Sequence, residues 1–347
     1  MADFRRRPIY DIGLFRSSTK DKNTQLNVFV SNKRFKIDLL AVNFESSPTL
    51  LEEYLRQVKR QEPEYIPDIN EEVEFDDPLE EIRDWILQPF LPIFHSLPSL
   101  DLGRKYTLEN CLFSEEFHYT VKAVGGNLVP VFLEKTDSKK NHLVGAILPS
   151  SSHVDYSAFP VYHPSEIHVP VNAESTSLPS IPRKVFIRGQ SSPSFFNIVY
   201  GGDAGITVRE LHAYSKIHAA QFDVTVLTSR LHGLVQDHDG HVMGLLLSFI
   251  DCRGVTLSCI DTHNPKYSNL GQKWFSQISL SLKHLHSRGI AWGDAKAANV
   301  LIDVNQDAYL IDFGGGYTEG WVERDKCNSI AGDLQGLEKI KQHFFTN

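Results

Sequence analysis

The stretch Gly289–Gly316, GIAWGDAKAANVLIDVNQDAYLIDFGGG, carries the densest set of chemically placed residues in this 347-residue chain. Asp294 precedes Asn299 by five positions, with Lys296 between them, so one tight loop can present a carboxylate, an ammonium and a carboxamide together. Val300-Leu301-Ile302 and Tyr309-Leu310-Ile311 then read as two short apolar strands joined by a polar turn, Asp303 to Asp307. Such a hairpin returns Asp312 to the neighbourhood of Asp294. Taken singly these residues have plainer readings, since an isolated aspartate is most often a cap or turn residue. Both halves, in order and with a strand pair between them, make a site.

The order Asp294, Lys296, Asn299 and then Asp312-Phe313-Gly314 resembles the catalytic centre of protein kinases, whose pattern is H-R-D-L-x-x-x-N followed by D-F-G. That resemblance implies a kinase-like fold using ATP and Mg²⁺. It gives Asp294 the task of accepting or orienting the proton of an attacking hydroxyl, and Lys296 that of stabilising charge on the transferring phosphoryl group. Asn299 and Asp312 are then the metal ligands, as hard Mg²⁺ prefers oxygen donors of this kind.

Composition sets the frame. A chain of this length, 41% hydrophobic, is long enough for two domains with real cores. Its net charge of -8 and pI near 6.0 argue against a general nucleic-acid-binding surface, although tRNA is not excluded by a count of charges. Four cysteines, Cys111, Cys252, Cys259 and Cys327, show no C-x-x-C pairing, which points to a reducing compartment. The start MADFRRRPIYDIGLF lacks the apolar core of about 7 to 15 residues that a secretory signal needs, and no apolar run approaches the ~20 residues of a membrane span. A cytoplasmic protein is expected, a nuclear one being compatible with Arg5-Arg6-Arg7.

Along the amino-terminal half, Asn27 to Val42 reads as a β-hairpin around Ser31-Asn32-Lys33. Ser47-Pro48 opens a helix with Leu51, Tyr54, Leu55 and Val58 on one face, and Pro78 opens another with Leu79, Ile82, Trp85 and Ile86, which Pro89 and Pro92 should end or kink. The acidic stretch Glu71 to Glu81 reads as a solvated linker with a charged helix entry. Phe117 to Val124, Gly125-Gly126 and Leu128 to Leu133 read as strand, turn and return strand. Two of these segments, Asp84-Trp85-Ile86-Leu87 with its prolines and Tyr119 to Gly126, resemble the amino-terminal region of a family of filamentous-fungal proteins carrying kinase-like domains. Ser150 to Pro182, rich in Ser, Pro and His, reads as an extended linker.

The expected architecture is therefore α+β, with an amino-terminal α/β extension over 1–175 ending in that linker and a kinase-like two-lobe domain over 183–347 with a short carboxyl lobe. Lys184 to Arg188 and Ser194 to Tyr200 read as two strands, and Arg209-Glu210-Leu211 starts a helix that resembles the αC helix of kinases, with Glu210 in its ion-pair position. Val224 to Val235 and Val242 to Ile250 suggest two more strands, leading to a hinge at Phe249-Ile250-Asp251. From Leu270 to Ser287 an apolar stripe of Leu270, Trp274, Ile278, Leu282 and Leu285 marks the helix before the catalytic loop. Gly332-Asp333-Leu334 resembles the aspartate-bearing αF helix.

Departures from the kinase pattern stand out, one being that no A-P-E follows Gly316. Trp292-Gly293 replaces H-R, a form resembling divergent fungal and small-molecule kinases. No Gly-rich loop precedes the first strands. No V-A-I-K lysine precedes Glu210; Asn197 sits nearest that position, and Lys184 on the preceding strand is a spatial substitute. The nucleotide-binding set is thus Lys184, Asn197, Glu210 and Phe249. The leading expectation is ATP-Mg²⁺ phosphotransfer to a hydroxyl of a protein or small molecule. The alternatives are a pseudokinase acting as scaffold or nucleotide sensor, and a kinase-like scaffold used for adenylyl transfer or for aminoacyl transfer from charged tRNA, as in fungal secondary metabolism.

Overall fold

Alternating apolar residues build the first sheet. The structure is a computed structural model describing residues 9–18, 20–61, 77–134, 144–149, 156–261, 264 and 267–345; Arg5-Arg6-Arg7 and most of the acidic stretch before Asp77 lie outside them. The chain forms two units, Met1–Asn141 with Pro170–Pro182, and His142–Val169 with Arg183–Asn347.

The first unit runs through β1 (Asp11–Ser17), β2 (Thr24–Val30), β3 (Lys33–Leu39), α1 (Pro48–Lys59), α2 (Pro78–Leu87), α3 (Leu91–His95), β4 (Tyr106–Thr107), α4 (Leu108–Leu112), β5 (Glu115–Val124) and β6 (Asn127–Phe132). Leu26 and Val28 of β2 and Phe35, Ile37 and Leu39 of β3 point to one face and are buried, as the two-residue period requires. The β2–β3 hairpin is antiparallel as the sequence predicts, and the sheet continues in the order β1-β2-β3-β5-β6 with β3 and β5 parallel. Tyr54 and Val58 of α1 and Ile82, Ile86 and Leu87 of α2 close the core with Phe44, Phe90 and Phe94. Asp77 caps α2 by accepting from the Leu79 N–H at 3.0 Å. Pro89 lies in a 3₁₀ turn and Pro92 in the first turn of α3, so the prolines bend the path and restart a helix.

The second unit contains β7 (Val161–Tyr162), β8 (Ile167–Val169), β9 (Lys184–Ile187), β10 (Pro193–Ile198), α5 (Ala204–Ala220), β11 (Leu231–Gln236), β12 (Val242–Ser248), α6 (Ser268–Ser287), β13 (Val300–Ile302), β14 (Ala308–Leu310) and α7 (Ile330–Phe345). Its strands run in the order β8-β9-β10-β12-β11-β7, with α5 inserted between β10 and β11. Below that sheet α6 buries Trp274, Ile278, Leu282 and Leu285 in one core with Leu257, Leu310 and Ile340. The β13–β14 hairpin pairs Val300 with Leu310 and Ile302 with Ala308.

Two segments differ from the sequence reading. Ser150 to Pro182 is not one linker: Val161–Tyr162 and Ile167–Val169 are strands of the second unit, while Pro170–Pro182, the connection from β8 to β9, belongs to the first. Strands this short carry no periodicity, and the surrounding Ser, Pro and His residues conceal them. In the first unit that connection is fixed by a bridge between Ser31 and Ser177, by the Leu178 N–H donating to the Ser31 carbonyl at 2.7 Å, and by Ser177 Oγ donating to the Asp11 carboxylate. Val224 to Val235 is strand only from Leu231, because Asp223 accepts from the Thr225 N–H at 2.7 Å and turns the chain first. No helix of the described residues is long and apolar enough to cross a membrane.

Helix α7 packs directly on the loop that bears Asp294. A Cβ placed on Gly336 falls 2.3 Å from the Ala295 carbonyl oxygen, a backbone atom with little room to retreat. Gly336→Ala is expected to destabilise the fold by about 1–3 kcal/mol, as overpacking does; a denaturant midpoint unchanged from wild type contradicts this contact.

Candidate active site

The loop around Asp294 is positioned from beneath by a buried carboxylate. Asp333, in the first turn of α7, accepts from the Trp292 N–H at 2.6 Å, the Gly293 N–H at 2.8 Å and His286 Nε2 at 2.9 Å. Three donors satisfy an acceptor that has no access to water. His286 is thus a structural residue, as its place in the last turn of α6 suggests.

The Trp292-Gly293 pair also acquires a physical reason. Trp292 is fully buried and donates from Nε1 to the Ile311 carbonyl at 2.7 Å, tying the Asp294 loop to the segment that leads to Asp312. Gly293 has φ +93°, and a Cβ there would stand 3.1 Å from the Gly315 Cα. An arginine does not fit this backbone.

Above that support the candidate side chains converge. Lys296 Nζ donates to Asp294 Oδ2 at 2.5 Å, and Asn299 Nδ2 donates to the same oxygen at 3.2 Å and to the Asp294 carbonyl at 3.0 Å. The amide nitrogen of Asn299 is therefore committed inward, leaving its carbonyl oxygen as the atom it can offer a cation. Thr318, which sequence reasoning missed, completes the group: its hydroxyl accepts from Lys296 Nζ at 2.9 Å and donates to Asp294 Oδ1 at 3.1 Å. Its only sequence signal was a hydroxyl residue a few positions beyond Asp312-Phe313-Gly314.

Asp312 enters from the hairpin with φ +62°, a left-handed conformation that aspartate tolerates better than most residues. The Ile311 N–H donates to the Asn299 carbonyl at 3.0 Å, so the hairpin does deliver Asp312 beside the loop. Burial raises its carboxyl above the usual range and the Asp294 charge adds to this, while the Gly314 N–H and Lys296 oppose.

Glu210 of α5 is buried and faces the Asn197 carboxamide, whose Nδ2 donates to its two carboxylate oxygens at 3.4 and 3.3 Å. Burial first, and the Asp312 charge second, push the Glu210 carboxyl up to about 8. Asn197 therefore occupies the position proposed for it. Lys184 does not: it is exposed, forms no ion pair with Glu210 among the described residues, and lies over the Phe249 ring at 4.8 Å. Register explains the miss, because Lys184 pairs with Phe195, two residues along β10 from Asn197, which carries its ammonium away from Glu210 and to the hinge. Elsewhere, Asp237, Asp239 and His241 on the β11–β12 turn bring possible ligand atoms within 4.8 Å of one another, but hydrogen bonds within the turn account for that cluster.

A sheet with one inserted helix, a hairpin-linked Asp294–Asn299–Asp312 set and a buried anchoring aspartate form one constellation. The family model for the protein kinase domain matches residues 228–333, from β11 to the anchoring Asp333. The carboxyl-terminal unit is protein-kinase-like. Serine/threonine-protein kinase kin-29 of Caenorhabditis elegans is 44% identical over 46 residues, covering 13% of this chain and 6% of that protein. Testis-specific serine/threonine-protein kinase 4 of Homo sapiens is 36% identical over 61 residues, 18% of this chain and 19% of its own length. Serine/threonine-protein kinase SKS1 of Saccharomyces cerevisiae is 44% identical over 54 residues, 16% and 11% respectively. The chain thus spans less than a fifth of the length of these relatives.

Within the kinase-like unit, the raised Glu210 carboxyl makes a stability prediction. The folded state holds its proton up to about pH 8 and the unfolded chain releases it near 4.5, so folding takes up a proton between those values. This contribution is fully present below pH 4.5 and is lost as pH rises to about 8, at up to ~1.4 kcal/mol per pH unit. In nucleotide-free protein, Glu210→Gln should flatten that slope and raise stability at pH 8, measured by urea unfolding across the range. An unchanged slope contradicts it.

Proposed function

We propose that the kinase-like unit transfers the γ-phosphoryl group of ATP, with Mg²⁺, to a hydroxyl on a protein or small molecule. The observation that carries this reading is the Thr318 hydroxyl seated between Lys296 Nζ and Asp294 Oδ1: the cleft already holds an alcohol with an ammonium on one side and a carboxylate acceptor on the other. An acceptor hydroxyl in the same environment would give its proton to Asp294 as its oxygen bonds phosphorus and ADP leaves. Lys296 would hold the charge on the phosphoryl oxygens.

The donor set suits a hard divalent cation, since the Asn299 carbonyl oxygen and the exposed Asp312 carboxylate are both oxygen donors, and Asp312 forms no ion pair among the described residues. Bound there, the ion would offset the negative charge of the phosphates. Asn197 and Phe249 would meet the nucleotide from β10 and the hinge, with Glu210 held by Asn197 behind them.

A second reading, a nucleotide-sensing or scaffolding pseudokinase, is favoured by two observations. Asn197 brings no charge where a kinase strand offers a lysine, and the β8–β9 connection Pro170–Pro182 contains no glycine and belongs to the first unit. A turnover assay with γ-labelled ATP and a panel of hydroxyl acceptors, including the protein itself, separates the two. Phosphotransfer by wild type, reduced by about 10²–10⁴-fold in Asp294→Asn with nucleotide binding retained, is the expected result. ATP-Mg²⁺ binding without transfer to any acceptor, the protein included, favours the scaffold.

A further inference from the structure

The connection from β8 to β9 is longer than a hairpin needs. Strands paired as these are, with Ile167 opposite Ile187 and His168 opposite Phe186, are ordinarily joined by about 2–5 residues. Here the link runs from Pro170 to Arg183, between two strands too short to return the chain entropy that closing such a loop costs. Its sequence is also unsuited to covering phosphates. Pro170–Pro182, PVNAESTSLPSIP, contains no glycine, lysine or arginine, and Pro170, Pro179 and Pro182 offer no backbone N–H.

What orders this link is the first unit. Pro170–Pro182 belongs to it, whereas Val169 and Arg183 on either side belong to the second. Ser177 and Leu178 are 4% and 3% exposed, Ser177 Oγ donates to the Asp11 carboxylate, and the Leu178 N–H donates to the Ser31 carbonyl at 2.7 Å. From that anchor the chain runs directly into the residues assigned to the nucleotide. The Arg183 carbonyl accepts from the Phe196 N–H at 2.9 Å, and the next residue, Asn197, bonds Glu210. Lys184 lies over the Phe249 ring at 4.8 Å. Pro179 to Pro182, with a fixed φ at each end, leave little slack between the anchor and these contacts.

We infer that the first unit is a built-in support of the nucleotide site: by holding Ser177 and Leu178 it fixes β9, and through β9 the Phe249 ring and the Asn197–Glu210 pair, so that release of the connection lowers affinity for ATP-Mg²⁺. A strand ordered beforehand costs nothing to order on binding, whereas a loose edge strand does. The hold on β9 stands on the contacts just described; the effect on ATP rests on the function proposed above. Occupation of Asp11 and Ser31 by another molecule would lower that affinity from outside the cleft.

The test combines hydrogen exchange at single amides with calorimetric titration of ATP-Mg²⁺, on the full chain and on two variants. Leu178→Asp puts a carboxylate into the buried anchor, and Ser177→Ala removes the bond to Asp11 while keeping the leucine. In Leu178→Asp, exchange at the amide of residue 178 should show release, exchange at the Phe196 amide should accelerate at least tenfold, and ATP-Mg²⁺ affinity should fall at least fivefold. Phe35 and Ile37 amides in β3 should keep wild-type protection, which shows that the first unit is folded; if they lose it, Ser177→Ala carries the same test with smaller changes in the same direction. Protection of the Phe196 amide unchanged after release, or residue 178 still protected in both variants, overturns the hold on β9. Faster Phe196 exchange with unchanged ATP-Mg²⁺ affinity overturns its effect on the nucleotide. Wild type that binds no ATP refutes the function proposed above, and the exchange data then decide the hold on β9 by themselves.

Discussion

Three carboxylates, Glu210, Asp312 and Asp294, stand in a chain of repulsion, Asp312 acting on Glu210 and Asp294 on Asp312, and among the described residues the ammonium paired with one of them is Lys296, on Asp294. Like charges this close cannot all remain ionised in a partly dry environment without cost. The fold responds in two ways. Hydrogen bonds from Asn299 and Thr318 spread the charge of Asp294, and Glu210, bonded by Asn197, keeps its proton up to about pH 8. A strand lysine beside Glu210 would have removed the second need. With Asn197 there instead, the cleft has a charge deficit that a divalent cation and its nucleotide are suited to meet.

Rigidity beneath the cleft keeps these charges together. Asp333 fixes the backbone of Trp292 and Gly293, Trp292 in turn reaches the Ile311 carbonyl, and Gly336 lets α7 approach the Ala295 carbonyl. Helix α7 and the segment after β14 are thereby both held to the same short loop. The loss of H-R is therefore part of a consistent local design: the indole fills the core and the left-handed glycine allows close contact with Gly315.

Asp294, Asn299 and Asp312 were legible because their order and spacing are local, and because the apolar runs on either side of Asp303–Asp307 form a hairpin that neighbouring residues alone can specify. The Trp274 stripe and the Asp333 helix were legible for the same reason. What escaped is non-local. Thr318 joins the site through a bend no periodicity marks, and Lys184 misses Glu210 because strand register, rather than spacing, decides which side chain of β9 stands opposite β10. The split of Ser150 to Pro182 between two units also depends on distant partners, Ser31 and Asp11 on one side and β9 and β11 on the other.

The central claim is that the clustered carboxylates form a cation-dependent nucleotide site. Calorimetric titration of ATP, with and without Mg²⁺, into wild type and Asp312→Asn tests it most directly. The account predicts binding that requires Mg²⁺ in wild type and is weakened at least tenfold in the variant. Absence of ATP binding in wild type, or binding indifferent to both Mg²⁺ and the Asp312 carboxylate, would contradict it.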